Sequence, residues 1–259
     1  MGVAVVQAAA DAANARISGG WVRKGSAAAG KDLGLLAHSA ELGVVAVSDL
    51  DAALGGAEAV IDFTLPEAIG EIVASCRERG LPLVTGTTGL SDEDQVQIVA
   101  AARDIPVVQA ANMSIGVTVL LDLAARATAA LGPGFDAEIV ELHHRHKRDA
   151  PSGTALAIGS EVARARGGDC PSDVGRGPAS GVRSDGAIGY SSVRAGEIVG
   201  EHTLLLAGQG ERLELVHRTA DRRAFAAGAL RAASWLAGRP PGLYGMRDVL
   251  ELGSGTPLA

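Results

Sequence analysis

Ala59-Val60-Ile61-Asp62-Phe63-Thr64-Leu65-Pro66-Glu67 reads as a short buried strand that runs directly into a helix. Thr64 is a plausible N-cap, and Pro66 fits the first helical turn. That helix runs to about Arg79. The unit then repeats. Leu83-Val84-Thr85 is a strand that ends in Gly86-Thr87-Thr88-Gly89, and Ser91, with Asp94 three residues on, starts the next helix. Pro106-Val107-Val108-Gln109 is a further strand, ending in Ala110-Ala111-Asn112-Met113-Ser114. Upstream, Val3 to Ala13 reads as a helix, Ile17 to Val22 as a strand, and Asp51 to Leu54 as a small helix. Lys31 to Leu50 reads as a loop holding one short strand, Val44 to Val47. Alternating strands and helices imply a parallel sheet covered on both faces. Ligands of such sheets lie beyond the carboxyl ends of the strands. Ordinary strand-to-helix turns also favour Gly and Thr, so these ends alone do not define a site.

Composition narrows the class. The 259 residues carry a net charge of -7 and suit one large or two small domains. This balance gives no reason to expect a nucleic-acid or anionic-membrane partner. Only 3% of residues are aromatic, so aliphatic side chains and alanine build the core. The 35 glycines, about twice the usual share, point to many tight turns. Cys76 and Cys170 have no metal or redox spacing and read as free thiols in a reducing compartment. No metal site is expected. Ile115 to Leu131 is apolar but carries Asp122 and Arg126, and Met1 to Val6 lacks the basic start of a signal peptide. A cytoplasmic protein is the expectation.

Further along, Ala137 to Leu142 reads as a strand. His143-His144-Arg145-His146-Lys147-Arg148 follows, six cationic or titratable side chains in an acidic protein. Such a run is ordinarily a solvated surface. Here Pro151 keeps Ala150 extended, and Ser152 caps a helix that opens at Gly153-Thr154-Ala155. Strand, cationic turn and helix N-terminus therefore converge, and the N–H groups of Gly153 and Thr154, with Lys147, suit an anion. A small dicarboxylate is the natural guest. Gly167 to Gly186 reads as a long loop. Ala187–Arg194, Glu197–Leu206 and Glu211–Arg218 read as strands of an open mixed sheet, and Arg223 to Leu236 as a helix returning to the first domain.

The run Glu141, His143, His144, Lys147, Asp149, Pro151, Ser152, Gly153, Thr154 and Ala155 resembles, without a gap, the signature of the 4-hydroxy-tetrahydrodipicolinate (dihydrodipicolinate) reductase family. The resemblance covers nearly the whole chain. It implies an α/β fold: a Rossmann-like parallel-sheet nucleotide domain, residues 1–114 and 223–259, plus an α+β substrate and oligomerisation domain, residues 115–222, with an open mixed sheet. It implies NAD(P)H-dependent reduction of a cyclic unsaturated dicarboxylate in lysine and diaminopimelate biosynthesis, by a homotetramer assembled through the open sheet. His143 is then the proton donor and Lys147 a second donor that also holds a carboxylate. His144 contacts substrate, and Gly153 and Thr154 bind the other carboxylate. Gly86, Thr87 and Thr88, with Ala110, Ala111, Asn112 and Met113, hold the nicotinamide half of the cofactor; Met113 stands where the family has an aromatic residue. Asp149 orients Lys147 or the turn. Arg145 and His146 are read as surface or hinge residues, His202 and His217 as packing or interface residues, and Arg194, Glu197 and Glu201 as interface charges.

Two departures stand out. The family's nucleotide domain opens with a strand and Gly-x-x-Gly-Arg-Met-Gly, whereas Met1-Gly2 matches only the last two residues of that loop. The first strand normally lies mid-sheet, so its loss would strip two neighbours of hydrogen-bond partners. The expectation is a start lying upstream; the alternative is a short form that binds dinucleotide poorly and serves as a non-catalytic dicarboxylate-binding or assembly subunit. The second departure concerns cofactor choice. Val22-Arg23-Lys24 offers two cations and no acid where NAD binding favours an acid, so Arg23 is expected to favour NADPH over NADH, or to allow use of both.

Overall fold

The structure is a computed structural model and describes residues 1–253. The last six positions assigned above to the nucleotide domain, 254–259, lie outside the described residues. In chain order the elements are α1 (Gly2–Ala10), β1 (Gly20–Trp21), α2 (Leu33–Leu36), β2 (Ala46–Val47), α3 (Leu50–Leu54), β3 (Val60–Asp62), α4 (Pro66–Arg79), β4 (Leu83–Thr85), α5 (Asp92–Ala101) and β5 (Pro106–Gln109). Then follow α6 (Ile115–Leu131), β6 (Asp136–His143), α7 (Gly153–Ala165), β7 (Ser172–Val174), β8 (Ile188–Arg194), β9 (Gly200–Ala207) and β10 (Arg212–Thr219), and finally α8 (Arg223–Leu236), β11 (Gly242–Tyr244) and α9 (Met246–Val249). They form two compact units, one of Met1–Ile115 with Arg222–Glu251 and one centred on Gly116–Asp221.

The first unit holds a parallel four-stranded sheet in the order β11-β5-β4-β3. Its pleat sorts the side chains. Val60, Leu83 and Val107 are in register and face a core built with α3, α4 and α5. Ile61, Val84 and Val108 face the opposite way, against α8 and α9. Both faces are thus buried, and this is why the strands read as unbroken apolar runs. α5 opens with a full capping box between Ser91 and Asp94. At α4 the cap differs from expectation. The N-cap position is Leu65, with no side-chain cap. The Thr64 hydroxyl instead donates to Asp62 Oδ1 at 2.6 Å, because a buried carboxylate two residues away competes for it. Lys31 to Leu50, read as loop, contains α2, whose N-cap Asp32 accepts from the amides of Gly34 and Leu35.

β1 pairs only with β2, in parallel, and these two strands form a separate sheet. Neither β1 nor β2 is paired with the four-stranded sheet among the described residues. A cleft of about 160 Å³ lies between the two sheets, lined by Gly20 and Trp21 on one side and Val60, Ile61 and Asp62 on the other. Cys76 and Cys170 are free. Burial, reinforced by the Asp62 charge, pushes the Cys76 thiol up to about 12, so it packs as an inert apolar group.

The second unit holds a five-stranded mixed sheet in the order β10-β9-β6-β8-β7. β6 lies in the middle, antiparallel to β9 and parallel to β8. One face, carrying Ile139, Ile188, Leu204 and Leu206, is covered by Leu120 and Ala124 of α6 and Ile158 and Val162 of α7. The other face carries Val140, Leu142, Val193 and Val216, partly or fully exposed. β7 corrects the reading of Gly167 to Gly186 as loop throughout: Ser172–Val174 pairs with β8 as an edge strand. Its side chains are largely exposed, so no apolar period marked it.

Candidate active site

The pleat of β6 builds the centre of the site. Its residues alternate between faces, so Glu141 and His143, two apart, point to the same side, and both are buried. The neighbours are set by register. β9 places His202 opposite Glu141, and β8 places Arg194 opposite His143. The strand ends at His143, whose carbonyl accepts from the Ala195 amide. The chain then turns: the Lys147 amide donates to the His144 carbonyl, and the Arg145 amide to the Gly196 carbonyl. This turn explains the split within the cationic run. His144 and Lys147 are half-buried, whereas Arg145, His146 and Arg148 are exposed.

Side-chain contacts join the pieces. Nδ1 of His143 lies 2.5 Å from Oε2 of Glu141. Arg194 grips both oxygens of Glu141, with Nη1 at 2.9 Å and Nη2 at 2.7 Å. Nζ of Lys147 sits 2.9 Å from Asp149. The rings of His143 and His202 meet edge to face at 5.1 Å, and Nε2 of His202 lies 3.0 Å from the Ser152 hydroxyl. Ser152 is also the N-cap of α7, accepting from the Ala155 amide. The helix N-terminus is therefore anchored to the same sheet that carries His143. The Ala150–Pro151 peptide before it is cis. Gly153 is exposed and Thr154 half-buried in the first turn of α7.

The electrostatics are uneven. Burial pulls the Glu141 carboxyl upward, but hydrogen bonds from Arg194, Ser192 and His143 overcome it and hold the group at about 2. Burial lowers the pKa of His143, opposed by Glu141 and assisted by the positive charges of Lys147 and Arg194. Burial, with His143 alongside, pushes His202 down to about 4, so it stays neutral at physiological pH. The hydrogen bond from Lys147 holds Asp149 below the usual carboxylate range.

Glu141, Arg194 and His202 were not singled out from the sequence as site residues. Arg194 and His202 lie more than fifty residues from His143 and were read as interface or packing groups. In the structure His202 packs edge to face on the His143 ring and Arg194 pairs with Glu141. The one local signal was Glu-x-His on a strand, a spacing that puts the two side chains on one face. Asp149, expected to orient Lys147 or the turn, contacts Lys147 Nζ.

The cofactor candidates lie on the first unit. Gly86, Thr87 and Thr88 follow β4, and Ala110, Ala111 and Asn112 follow the adjacent β5. Thr88 and Ala111 are exposed, and Gly86, Ala110 and Asn112 half-buried. Small side chains at two neighbouring carboxyl ends fit a flat ring laid against the backbone. Two candidates sit deeper. The Thr87 hydroxyl donates to Asp62 at 2.8 Å, and the residue is buried. Met113 is 1% exposed, within the core beside α8. Arg23 and Lys24 occupy an exposed turn just beyond β1, and neither enters an ion pair among the described residues. No cluster that could hold a metal ion occurs among the described residues, and no helix there is long and apolar enough to cross a membrane.

Comparison with known proteins gives consistent matches along the chain. Residues 1–113 match the family described as dihydrodipicolinate reductase, N-terminus, and residues 116–250 match dihydrodipicolinate reductase, C-terminus. The 4-hydroxy-tetrahydrodipicolinate reductase of Alkalilimnicola ehrlichii is 50% identical over 254 residues, covering 97% of this chain and 95% of the relative. That of Thiobacillus denitrificans is 48% identical over 254 residues, with coverage of 97% and 95%. Among solved structures, dipicolinate-bound dihydrodipicolinate reductase from Paenisporosarcina sp. TG-14 superposes with a TM-score of 0.74 at 26% identity, covering 95% of this chain and 93% of that one. GenD2 from gentamicin A biosynthesis, in complex with NAD, shares the fold at a TM-score of 0.56 and 17% identity, with coverage of 92% and 84%.

Proposed function

The chain belongs to the dihydrodipicolinate reductase family, and from that premise we propose that it reduces 4-hydroxy-tetrahydrodipicolinate to tetrahydrodipicolinate with NAD(P)H, in the cytoplasm, on the route to diaminopimelate and lysine. One observation carries the reading. His143, Lys147 and the N-terminus of α7 are brought together on the second unit, where a proton donor stands beside two anion-binding devices. The dipicolinate-bound relative supports a flat ring bearing two carboxylates as the guest.

The residues divide the work as follows. The amides of Gly153 and Thr154, at the positive end of α7, receive one carboxylate. Lys147, held by Asp149, receives the other, and His144 flanks the ring. His143 delivers a proton from Nε2 to the carbon beside the one that is reduced. Its lowered pKa suits this task once substrate is present. Burial favours the neutral ring in the free chain, and a dicarboxylate brought alongside favours the charged, proton-carrying form. The substrate's hydroxyl departs as water, and the dinucleotide, when bound, would supply hydride to the unsaturated ring that results; the electron pair this frees on the neighbouring carbon takes the proton from His143. On the first unit, the strand ends at Gly86–Thr88 and Ala110–Asn112 receive its nicotinamide half, Met113 supports that loop from the core, and Arg23 with Lys24 receives the extra phosphate of NADPH. The partly apolar outer face of the mixed sheet, with Val140, Leu142, Val193 and Val216, is covered by partner subunits in a homotetramer.

The test is turnover of reduced nicotinamide by the full chain with 4-hydroxy-tetrahydrodipicolinate generated in situ. Parent protein is expected to turn over, and His143→Gln to keep its fold and its affinity for dipicolinate while losing about 10²-fold or more in kcat. Unchanged turnover would remove His143 from the mechanism. Dipicolinate binding by a parent that never turns over would identify a non-catalytic dicarboxylate-binding subunit instead.

A further inference from the structure

The polar groups around His143 form one connected series. His143 Nδ1 meets Glu141 Oε2 at 2.5 Å, and both Glu141 oxygens meet Arg194. Arg194 Nη2 also donates to the Asp149 carbonyl at 2.6 Å, and the Asp149 carboxylate lies 2.9 Å from Lys147 Nζ. The imidazole and the ammonium thus stand at the two ends of a single run, His143–Glu141–Arg194–Asp149–Lys147. At its middle, Glu141 is 1% exposed. A buried ion pair is poor evidence of a stability device, because a well-packed apolar pair would serve as well or better. Its place between two functional groups suggests another use.

We infer that Glu141 and Arg194 are positioning residues: Glu141 fixes the tautomer and orientation of the His143 ring, and Arg194 holds Glu141 while bracing the turn that presents Lys147. The inference rests on the reading of His143 as proton donor. A carboxylate only accepts, so it selects the ring form with hydrogen on Nδ1 and leaves Nε2 as the nitrogen that exchanges a proton with substrate. The Gly200 backbone passes close to that nitrogen. A Cβ added at Gly200 would lie 3.1 Å from His143 Nε2, tighter than ordinary contact. In the reaction the Nε2–H bond breaks and its electron pair stays on Nε2, while the new C–H bond forms from the electron pair that hydride addition releases on the substrate ring. The Nδ1–H remains on the ring, bonded to Glu141, and solvent restores the lost proton.

Glu141 also sets the charge balance. The groups facing His143 are Glu141 from β6, Arg194 from β8, His202 from β9 and Lys147 from the turn. Among these only Glu141 is negative. Removing its charge leaves burial and two cations, all of which disfavour the imidazolium. A general acid so weakened in its hold on the proton stops working at lower pH.

Two measurements on the full chain decide this. The first needs no variant: ¹⁵N chemical shifts of the His143 ring, assigned by comparison with His143→Gln, are expected to show hydrogen on Nδ1 in the neutral form. Hydrogen on Nε2 would overturn the inference. The second is steady-state kinetics against pH for parent, Glu141→Gln and Arg194→Lys. In Glu141→Gln, kcat is expected to fall at least about tenfold, KM for substrate to change little, and the alkaline limb of kcat to move to lower pH by about one pH unit. In Arg194→Lys, which keeps a charge but loses the fork, kcat is expected to fall and KM to rise as Lys147 loses its brace. A purely structural role would lower the yield of folded enzyme without moving the limb or the ring tautomer. Folded variants with the parent's kcat, KM and pH limb would overturn the inference. A parent chain that never turns over would instead defeat the reductase reading, and the ring shifts would still decide the role of Glu141.

Discussion

Replacing Arg194 with methionine leaves Glu141 buried without its two-pronged partner, and the cost can be worked from the geometry. Glu141 is 1% exposed and takes hydrogen bonds of 2.7 and 2.9 Å from Arg194. Burial alone would raise its pKa; the bonds from Arg194, Ser192 and His143 bring it from the ordinary 4.5 to about 2. At about 1.4 kcal/mol per tenfold change in acid constant, that difference contributes roughly 3 kcal/mol to folding at neutral pH. The sign follows from the direction. The folded-state pKa lies below the unfolded one, so the contribution is complete above pH 4.5 and is lost as pH falls toward 2. In Arg194→Met the carboxylate must protonate or draw in water, and breaking one side of a buried pair typically costs about 3–5 kcal/mol. Urea denaturation of the parent and variant at pH 7 is expected to show a deficit of about 3 kcal/mol that narrows on acidification below about pH 4.5. A Glu141→Gln/Arg194→Met double variant is expected to lose less than the sum of its parts, because no charge is left orphaned. A deficit below about 1 kcal/mol at pH 7 would refute the reasoning, since that is the range of exposed ion pairs.

Two further outcomes concern the first unit. Arg23→Ala/Lys24→Ala is expected to raise the Michaelis constant for NADPH more than for NADH, and equal changes in side-by-side kinetics would remove these cations from cofactor choice. Thr87→Val deletes the 2.8 Å bond to Asp62 and is expected to cost about 1–2 kcal/mol by urea denaturation with little change in the NADPH Michaelis constant; a raised Michaelis constant at parental stability would assign the hydroxyl to the cofactor instead.

Much of the fold was legible because the decisive signals are local. Val60, Leu83 and Val107 sit in short apolar runs bounded by turn residues, and Ser91 and Asp94 form a cap that depends on four consecutive residues. What was lost depended on competition or exposure. Thr64 does not cap α4 because Asp62, buried and aimed back at it, takes both its hydroxyl and its amide. β7 escaped because an edge strand with exposed side chains needs no apolar alternation. Thr87 shows the same limit from the other side. A hydroxyl in a turn at a strand's carboxyl end suggests a ligand contact, yet Asp62 gathers the hydroxyls of Thr64, Thr85 and Thr87 into one buried knot.

The candidate site divides along the same line. His143, His144, Lys147, Gly153 and Thr154 fall within a dozen consecutive residues, so their convergence could be argued from a strand, a turn and a cap. Arg194 and His202 reach the same place only through pairing register, which no local pattern specifies. β6 binds β8 with His143 opposite Arg194, and binds β9 with Glu141 opposite His202. Because side chains alternate along a strand, a slip of one residue in either ladder would turn the partner to the other face and break the contact. The site is therefore exact only to the extent that the sheet is. The apolar residues that fix its register, Ile139, Ile188, Leu204 and Leu206 against α6 and α7, thereby fix the chemistry as well. A buried charge such as Glu141 tightens this dependence. It is tolerated only in the register that delivers Arg194, so misaligned strands would bury it unpaired at several kcal/mol.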